Sequence, residues 1–172
     1  MTDVILTIAE VDADTPRDRR PAVREAAQAA YHALFDVPAG DPVPSIDRGL
    51  RHLLAARAAR LEGDGPAAEF YLEGATLEGV DAAGILDLVQ HGADGATGTA
   101  APRRLKAALR YVDLLAHRPA SATADDLNGL VEAGFSPAEI VVIGQIVGLI
   151  SYQVRVAHGL RVLEDVQNGA RA

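Results

Sequence analysis

The chain contains no cysteine. That absence excludes a disulfide, a thiolate nucleophile and a Cys-ligated metal site. Tryptophan is also missing, methionine occurs once and only 4% of the residues are aromatic, so the core must be built from Ala, Val, Leu and Ile. Basic residues are in deficit, 16 against 24 acidic ones, for a formal net charge of −8. Without a basic stripe to displace counterions from phosphate, a nucleic acid is not an expected partner. The N-terminal residues include Asp3 and offer neither a basic leader nor a long apolar run, so no signal peptide is expected. The uncharged run Ile140 to Val154 falls short of the roughly 18 residues that a membrane span requires. These absences together predict a cytoplasmic protein that does not enter membranes.

What is present is helical signal. At 172 residues, 49% of them hydrophobic, the chain fits one domain with a substantial core. Its strongest stretch runs from Ser136 to about Glu164, SPAEIVVIGQIVGLISYQVRVAHGLRVLE. Ser136 is placed as N-cap, Pro137 suits the first helical position, and Glu139 completes a capping box. Ile140, Val142, Ile143, Ile146, Val147, Leu149, Ile150 and Val154 cover well over half the circumference, so this helix is expected at the centre of the fold, covered on most sides. Gly144, Gly148, Ser151, Arg155 and Gly159 form a narrow strip of mostly small residues where another backbone can approach. Gln153 projects into the apolar arc, where a buried amide needs partners because an unpaired one costs about 1–3 kcal/mol.

Upstream, the spacing predicts a short helix over Val4–Ala9, an acidic turn, and a helix from Arg20 to about Phe35 that docks a stripe including Ala27, Tyr31 and Leu34. The stretch DVPAGDPVPS then reads as a Pro-rich linker. Residues 1–44 are thus expected to be an N-terminal helical extension, and residues 45–172 the core. In the core, helices are expected from Ser45 to Gly63, Pro66 to Gly79, Asp81 to Gln90, from Pro102 to before Pro119, and Ala124 to Gly134. No segment alternates as a strand does, so the expected class is all-α.

The order of these helices resembles the alkylhydroperoxidase D and carboxymuconolactone decarboxylase superfamily. The likeness is carried by LRHLLAARAARLEG, RLKAALRYVDLLAHRP and ADDLNGLVEAGFSPAEIVVIGQIVGLISYQVRVAHGL, and covers about Ser45 to Leu163. It implies an antiparallel helical bundle, and the residues before Ser45 are similar to the extension of a peroxidase-related branch. Peroxidase members carry a Glu on the first core helix, a C-x-x-C pair at the start of the second, and a His one turn on. A thiolate at a helix N-terminus attacks peroxide, the second Cys resolves the sulfenic acid, and Glu and His relay the proton. By this resemblance His52 stands at the Glu position, Asp64 and Ala67 at the two Cys positions, and Tyr71 at the His position. No thiol peroxidase cycle can run on this chain alone.

The candidate site residues follow from both readings. His52 and Tyr71 would be the catalytic pair, His52 as general base and Tyr71 as hydrogen-bond donor, if they face one another. Gln153, Arg155 and Arg57 are the ligand-binding candidates, with Arg155 able to grip a carboxylate or phosphate. The bland alternatives are a helix-surface His, a core Tyr and structural arginines paired with acids. His158 and Arg161 are expected to complement the dipole at the end of the last helix. His52, His91, His117 and His158 have no metal-binding spacing, and the Gly92–Gly98 stretch lacks a P-loop ending, so no metal and no cofactor are expected. The resemblance implies a homo-oligomer, a dimer or a trimer of dimers. Two function classes remain: a non-catalytic protein that binds a small organic ligand or a Cys-bearing relative, and a thiol-independent lyase or hydrolase using His52 and Tyr71. The first is preferred, because every relay position differs.

Overall fold

The structure, a computed structural model, describes residues 3–11, 15–36, 46–95 and 101–169, with the backbone alone at 82–85. The Pro-rich linker expected over 36–45 lies outside the described residues except for Asp36, as do parts of the acidic turn and of the Gly-rich stretch. Among the described residues there are eight α-helices, two short 3-10 turns and no strand. The helices are α1 (Val4–Ala9), α2 (Pro21–Phe35), α3 (Arg48–Leu61), α4 (Gly65–Leu77), α5 (Ala82–Gly95), α6 (Arg103–His117), α7 (Ala124–Glu132) and α8 (Pro137–Gly169).

Local chemistry sets their ends. Asp47 caps α3 by accepting from the Leu50 N–H at 2.8 Å, and Asp64 caps α4 by accepting from the Ala67 N–H at 2.9 Å. Before α8 the expected capping box is formed: Ser136 N–H donates to Glu139 Oε2 at 2.8 Å and Glu139 N–H to Ser136 Oγ at 3.3 Å. At the end of α3 the Gly63 N–H reaches the Arg60 carbonyl and the Asp64 N–H the Ala59 carbonyl, the Schellman pattern, which requires the positive φ of 79° that Gly63 adopts. Helix α5 is broken inside its span by Gly92, at φ 74° and ψ −174°, close to the end expected near Gln90. α8 runs five residues past the expected Glu164, to Gly169.

The centre of the fold differs from the expectation. It is α3, where every residue from Arg51 to Ala59 is buried and which packs against α2, α4, α5, α6 and α8. The physical reason lies in Ala55, Ala56, Ala58 and Ala59, each at most 1% exposed, whose small side chains let neighbouring helices approach closely over nearly half of its circumference, with Leu53, Leu54 and Arg57 buried on the rest. Helix α8 instead packs chiefly against α1, α3 and α6. It buries Ile143, Ile146, Ile150, Val154 and Leu160, while Val141, Val162, Leu163 and Val166 stand exposed along its outer side. The uncharged run was expected to be too short for a membrane span, yet α8 is long and apolar enough to cross a membrane; 44% of its most apolar 18 residues is buried inside the protein.

Helix α1 is buried through Val4, Ile5, Ile8 and Ala9 against α8 and α4. Arg161 of α8 holds it there, donating to the Ile8 carbonyl at 2.7 Å and to the Ala9 carbonyl at 3.2 Å. Arg161 was expected to serve the end of its own helix. Because α8 continues two more turns, Arg161 instead satisfies the open carbonyls at the end of α1.

Candidate functional site

The two helices that the sequence singles out, α3 and α4, bring His52 and Tyr71 side by side, ring centroids 6.2 Å apart. His52 can lie so close to α4 because residue 74 is glycine. A Cβ there would stand 2.3 Å from the His52 Cδ2. His52 Nδ1 is 2.8 Å from the Arg48 carbonyl one turn back on its own helix, so Nδ1 carries the proton and Nε2 the lone pair. Burial lowers the pKa of His52, outweighing the Arg48 carbonyl and Glu78, which favour the charged form. The ring is therefore neutral near pH 7.

Tyr71 is completely buried, and its hydroxyl donates to Gln153 Oε1 of α8 at 2.6 Å. Burial, with the nearby Tyr31 hydroxyl, pushes the phenol well above its ordinary pKa, and the bond to Gln153 offsets this only in part. Such a phenol stays protonated at every physiological pH. Gln153 is 1% exposed and its Nε2 has no hydrogen-bond partner. The structure thus brings His52, Tyr71 and Gln153 together around one point between α3, α4 and α8.

An aromatic cluster packs against that point. Phe35, from the last turn of α2, is fully buried, its ring 4.8 Å from that of His52 and 5.1 Å from that of Tyr71. Tyr31, one turn earlier, stacks on Phe35 at 5.1 Å, and Phe70 meets Tyr71 edge-on at 5.1 Å. Four of the seven Phe and Tyr residues are gathered here. Offset and edge-on ring pairs each add about 0.5–1.5 kcal/mol beyond their buried area, so the cluster is a packed plug. The sequence reading placed Tyr31 on the docking stripe and overlooked Phe35 as its companion. The signal was the pairing of two aromatics at i and i+4 in a chain with so few of them.

The two arginine candidates lie elsewhere. Arg57 is buried and directs four of its N–H donors within the protein: two to the Asp113 carboxylate of α6, at 2.7 and 3.0 Å, and one each to the carbonyls of Val89 and Gln90 in α5. It brackets α3, α5 and α6 together. The bracket presses on the break in α5, because a Cβ on Gly92 would lie 2.8 Å from both Arg57 Nη2 and Asp113 Oδ2. Arg155 sits on the open side of α8, its side chain 68% exposed, bonded to the Ser151 carbonyl at 2.8 Å and facing Glu62 at 3.6 Å. Asp64 pairs with Arg161 at 2.6 and 3.1 Å while capping α4. Among the described residues no group of three His, Asp or Glu side chains is placed to hold a metal ion.

Comparison with known proteins returns a fold. No family model matches the chain, and no curated protein sequence is significantly similar to it. Two solved structures superpose well. One, an Agrobacterium tumefaciens protein of unknown function provisionally described as the antioxidant defence protein AhpD, aligns with a TM-score of 0.67 at 23% identity over 84% of this chain and 92% of its own. The other, a peroxidase-related protein from Ralstonia eutropha described as an alkylhydroperoxidase AhpD core, aligns with a TM-score of 0.58 at 21% identity over 84% of this chain and 73% of its own. The chain has the AhpD-like, all-α fold.

Proposed function

We infer that this protein is a cysteine-free AhpD-like protein without thiol peroxidase activity, acting as an oligomeric small-molecule-binding or partner protein. The observation that supports this most is Phe35. Its ring packs against both His52 and Tyr71, covering one side of the pair that a substrate would need to reach. Neither residue is poised for proton transfer, since Tyr71 is committed to Gln153 and is 0% exposed, and His52 is 6% exposed. A thiol-independent lyase or hydrolase using the same pair would require α2 to leave its seat.

Purified protein should turn over neither hydrogen peroxide nor an organic hydroperoxide with dithiothreitol as the reductant. Robust turnover that His52→Ala abolishes would overturn this reading. Oligomerisation has its own physical motive: Val141, Val162, Leu163 and Val166 line the open side of α8 at 46–64% exposure, beside Gly148, over which a Cβ would meet nothing. Light scattering is expected to give a mass at least twice 18.0 kDa.

A further inference from the structure

Apart from the aromatic cluster, the described residues hold an open groove. Between α6 and α7 runs a groove of about 610 Å³. Small-molecule sites occupy about 300–1,000 Å³. The two walls carry opposite charge. Arg103, Lys106 and Arg110 come from α6, and Asp125, Asp126 and Glu132 from α7. Between them the lining is apolar, with Ala107, Leu114 and Leu130 and the ring of Tyr111. Gly129, in the middle of the α7 wall, leaves the groove open, because a Cβ there would meet nothing within 4 Å.

Most of these charges are engaged. Arg110 turns away to Asp94 of α5, with both carboxylate oxygens within 3.0 Å of its Nε. Asp126 accepts from the Thr123 N–H at 2.8 Å and from the Thr123 hydroxyl at 2.6 Å. Arg103 meets Glu132 at 3.4 Å, both highly exposed, an ion pair of the kind a ligand displaces at little cost. Among the described residues the side chains of Lys106 and Asp125 make no hydrogen bond or ion pair, and Lys106 acts through its field on Asp94.

The helices run antiparallel here, since Arg103 at the start of α6 reaches Glu132 at the end of α7, while Asp126 at the start of α7 raises the pKa of Tyr111, behind burial as the larger cause. Lys106 and Asp125 therefore stand diagonally across the groove. Asp125 faces the turn of α6 holding Tyr111 and Leu114, five to eight residues beyond Lys106, which at 1.5 Å per residue is roughly 10 Å along the axis. An ion of either sign alone meets one attractive and one repulsive wall. A molecule with a carboxylate at one end, an ammonium at the other and an apolar middle satisfies both.

We propose that the α6–α7 groove binds a short unblocked peptide of about three residues with apolar side chains, its carboxylate on Lys106 and its ammonium on Asp125. The proposal rests on the reading of the chain as a binding protein. The probe is trileucine, titrated by calorimetry into the full-length protein, with N-acetyl-trileucine, trileucine amide and leucine as comparisons. Trileucine should bind at least ten-fold more tightly than any of the three. Lys106→Glu should remove the advantage of the free carboxylate over the amide, and Gly129→Val, which fills the groove from an exposed helix, should abolish binding with the far-UV spectrum unchanged. No heat at 10 mM trileucine, capped peptides binding equally well, or full binding by Gly129→Val would each overturn the proposal. Peroxide turnover measured on the same preparation tests the non-catalytic reading separately: turnover sinks that reading whatever the calorimeter shows.

Discussion

Removing the Tyr71 hydroxyl isolates the least satisfied point of the core. In Tyr71→Phe the ring stays, and with it the contacts to Phe35, His52 and Phe70. The Gln153 amide, whose Nε2 already lacks a partner, loses the Tyr71 hydroxyl that donates to its Oε1 at 2.6 Å. A buried polar group left unpaired costs about 1–3 kcal/mol, so Tyr71→Phe should destabilise by about 2 kcal/mol. For a chain of this length 1 kcal/mol corresponds to about 2–4 °C in Tm, and the expected loss is about 4–8 °C. Gln153→Met replaces the amide by an unbranched apolar chain of similar length, removing the orphaned Nε2 but stranding the Tyr71 hydroxyl. The double variant Tyr71→Phe/Gln153→Met removes both the Tyr71 hydroxyl and the Gln153 amide and should be at least as stable as the original. Coupling between directly bonded residues is commonly about 0.5–3 kcal/mol, and the cycle should fall in that range. Urea unfolding followed by far-UV circular dichroism, at one protein concentration for all four proteins, measures it. If Tyr71→Phe shifts stability by less than about 0.5 kcal/mol, or if the double variant is weaker than both singles, the site is not the dry, under-satisfied pocket described above.

Other perturbations separate the remaining parts of the fold. Gly63→Ala should cost about 1 kcal/mol, for backbone strain in open space, whereas Gly92→Ala should cost at least about 2 kcal/mol, because its Cβ also meets the Arg57–Asp113 pair; equal losses in urea unfolding would remove that contact from the account. Arg57→Ala should destabilise by about 3 kcal/mol, the low end for breaking a buried pair since Asp113 is partly exposed, and Arg57→Lys should recover less than half of that because one ammonium cannot replace the fork. His52 contributes a pH dependence. Its folded pKa is depressed, so the unfolded chain binds the proton more readily, and stability present above about pH 6.5 is lost as pH falls through the folded value. His52→Gln should flatten the urea midpoint in that window while leaving a second loss in the carboxylate range. Glu139 belongs to that second loss: burial would raise its pKa, but Ser136 and Arg104 together hold it lower.

The element types and most helix ends were legible because their causes are local. Asp47, Ser136, Glu139 and Gly63 act within four residues of themselves, and a sequence shows such chemistry directly. The proximity of His52, Tyr71 and Gln153 was legible only in part: Tyr71 and Gln153 fell on apolar arcs, while His52 was joined to Tyr71 only by the superfamily likeness. Two things were not visible. One was the hub, since a helix of Ala55, Ala56, Ala58 and Ala59 shows no strong apolar stripe, yet small side chains over nearly half of its surface let neighbouring helices close around it. The other was the plug, because Phe35 reaches His52 across 17 positions and Tyr71 across 36, and nothing local encodes a tertiary contact of that kind. Arg57 and Arg155 illustrate the same limit from the other side. Their sequence surroundings look alike, but one is bound on four N–H groups and the other stands in solvent.

The start of α4 shows how one buried charge joins three helices. A helix N-terminus favours an anion. Here the anion is a carboxylate, 5% exposed, which accepts the Ala67 N–H and lies 2.6 Å from Arg161. Arg161 in turn carries the terminal carbonyls of α1, so one charge joins α4, α8 and α1. The charge at the start of α4 thus fastens an N-terminal helix, while Phe35 of the next helix packs beside His52 and Tyr71. A cysteine at position 64 would leave Arg161 without its carboxylate and loosen the joint between α4, α8 and α1, while Phe35 would still pack against both His52 and Tyr71.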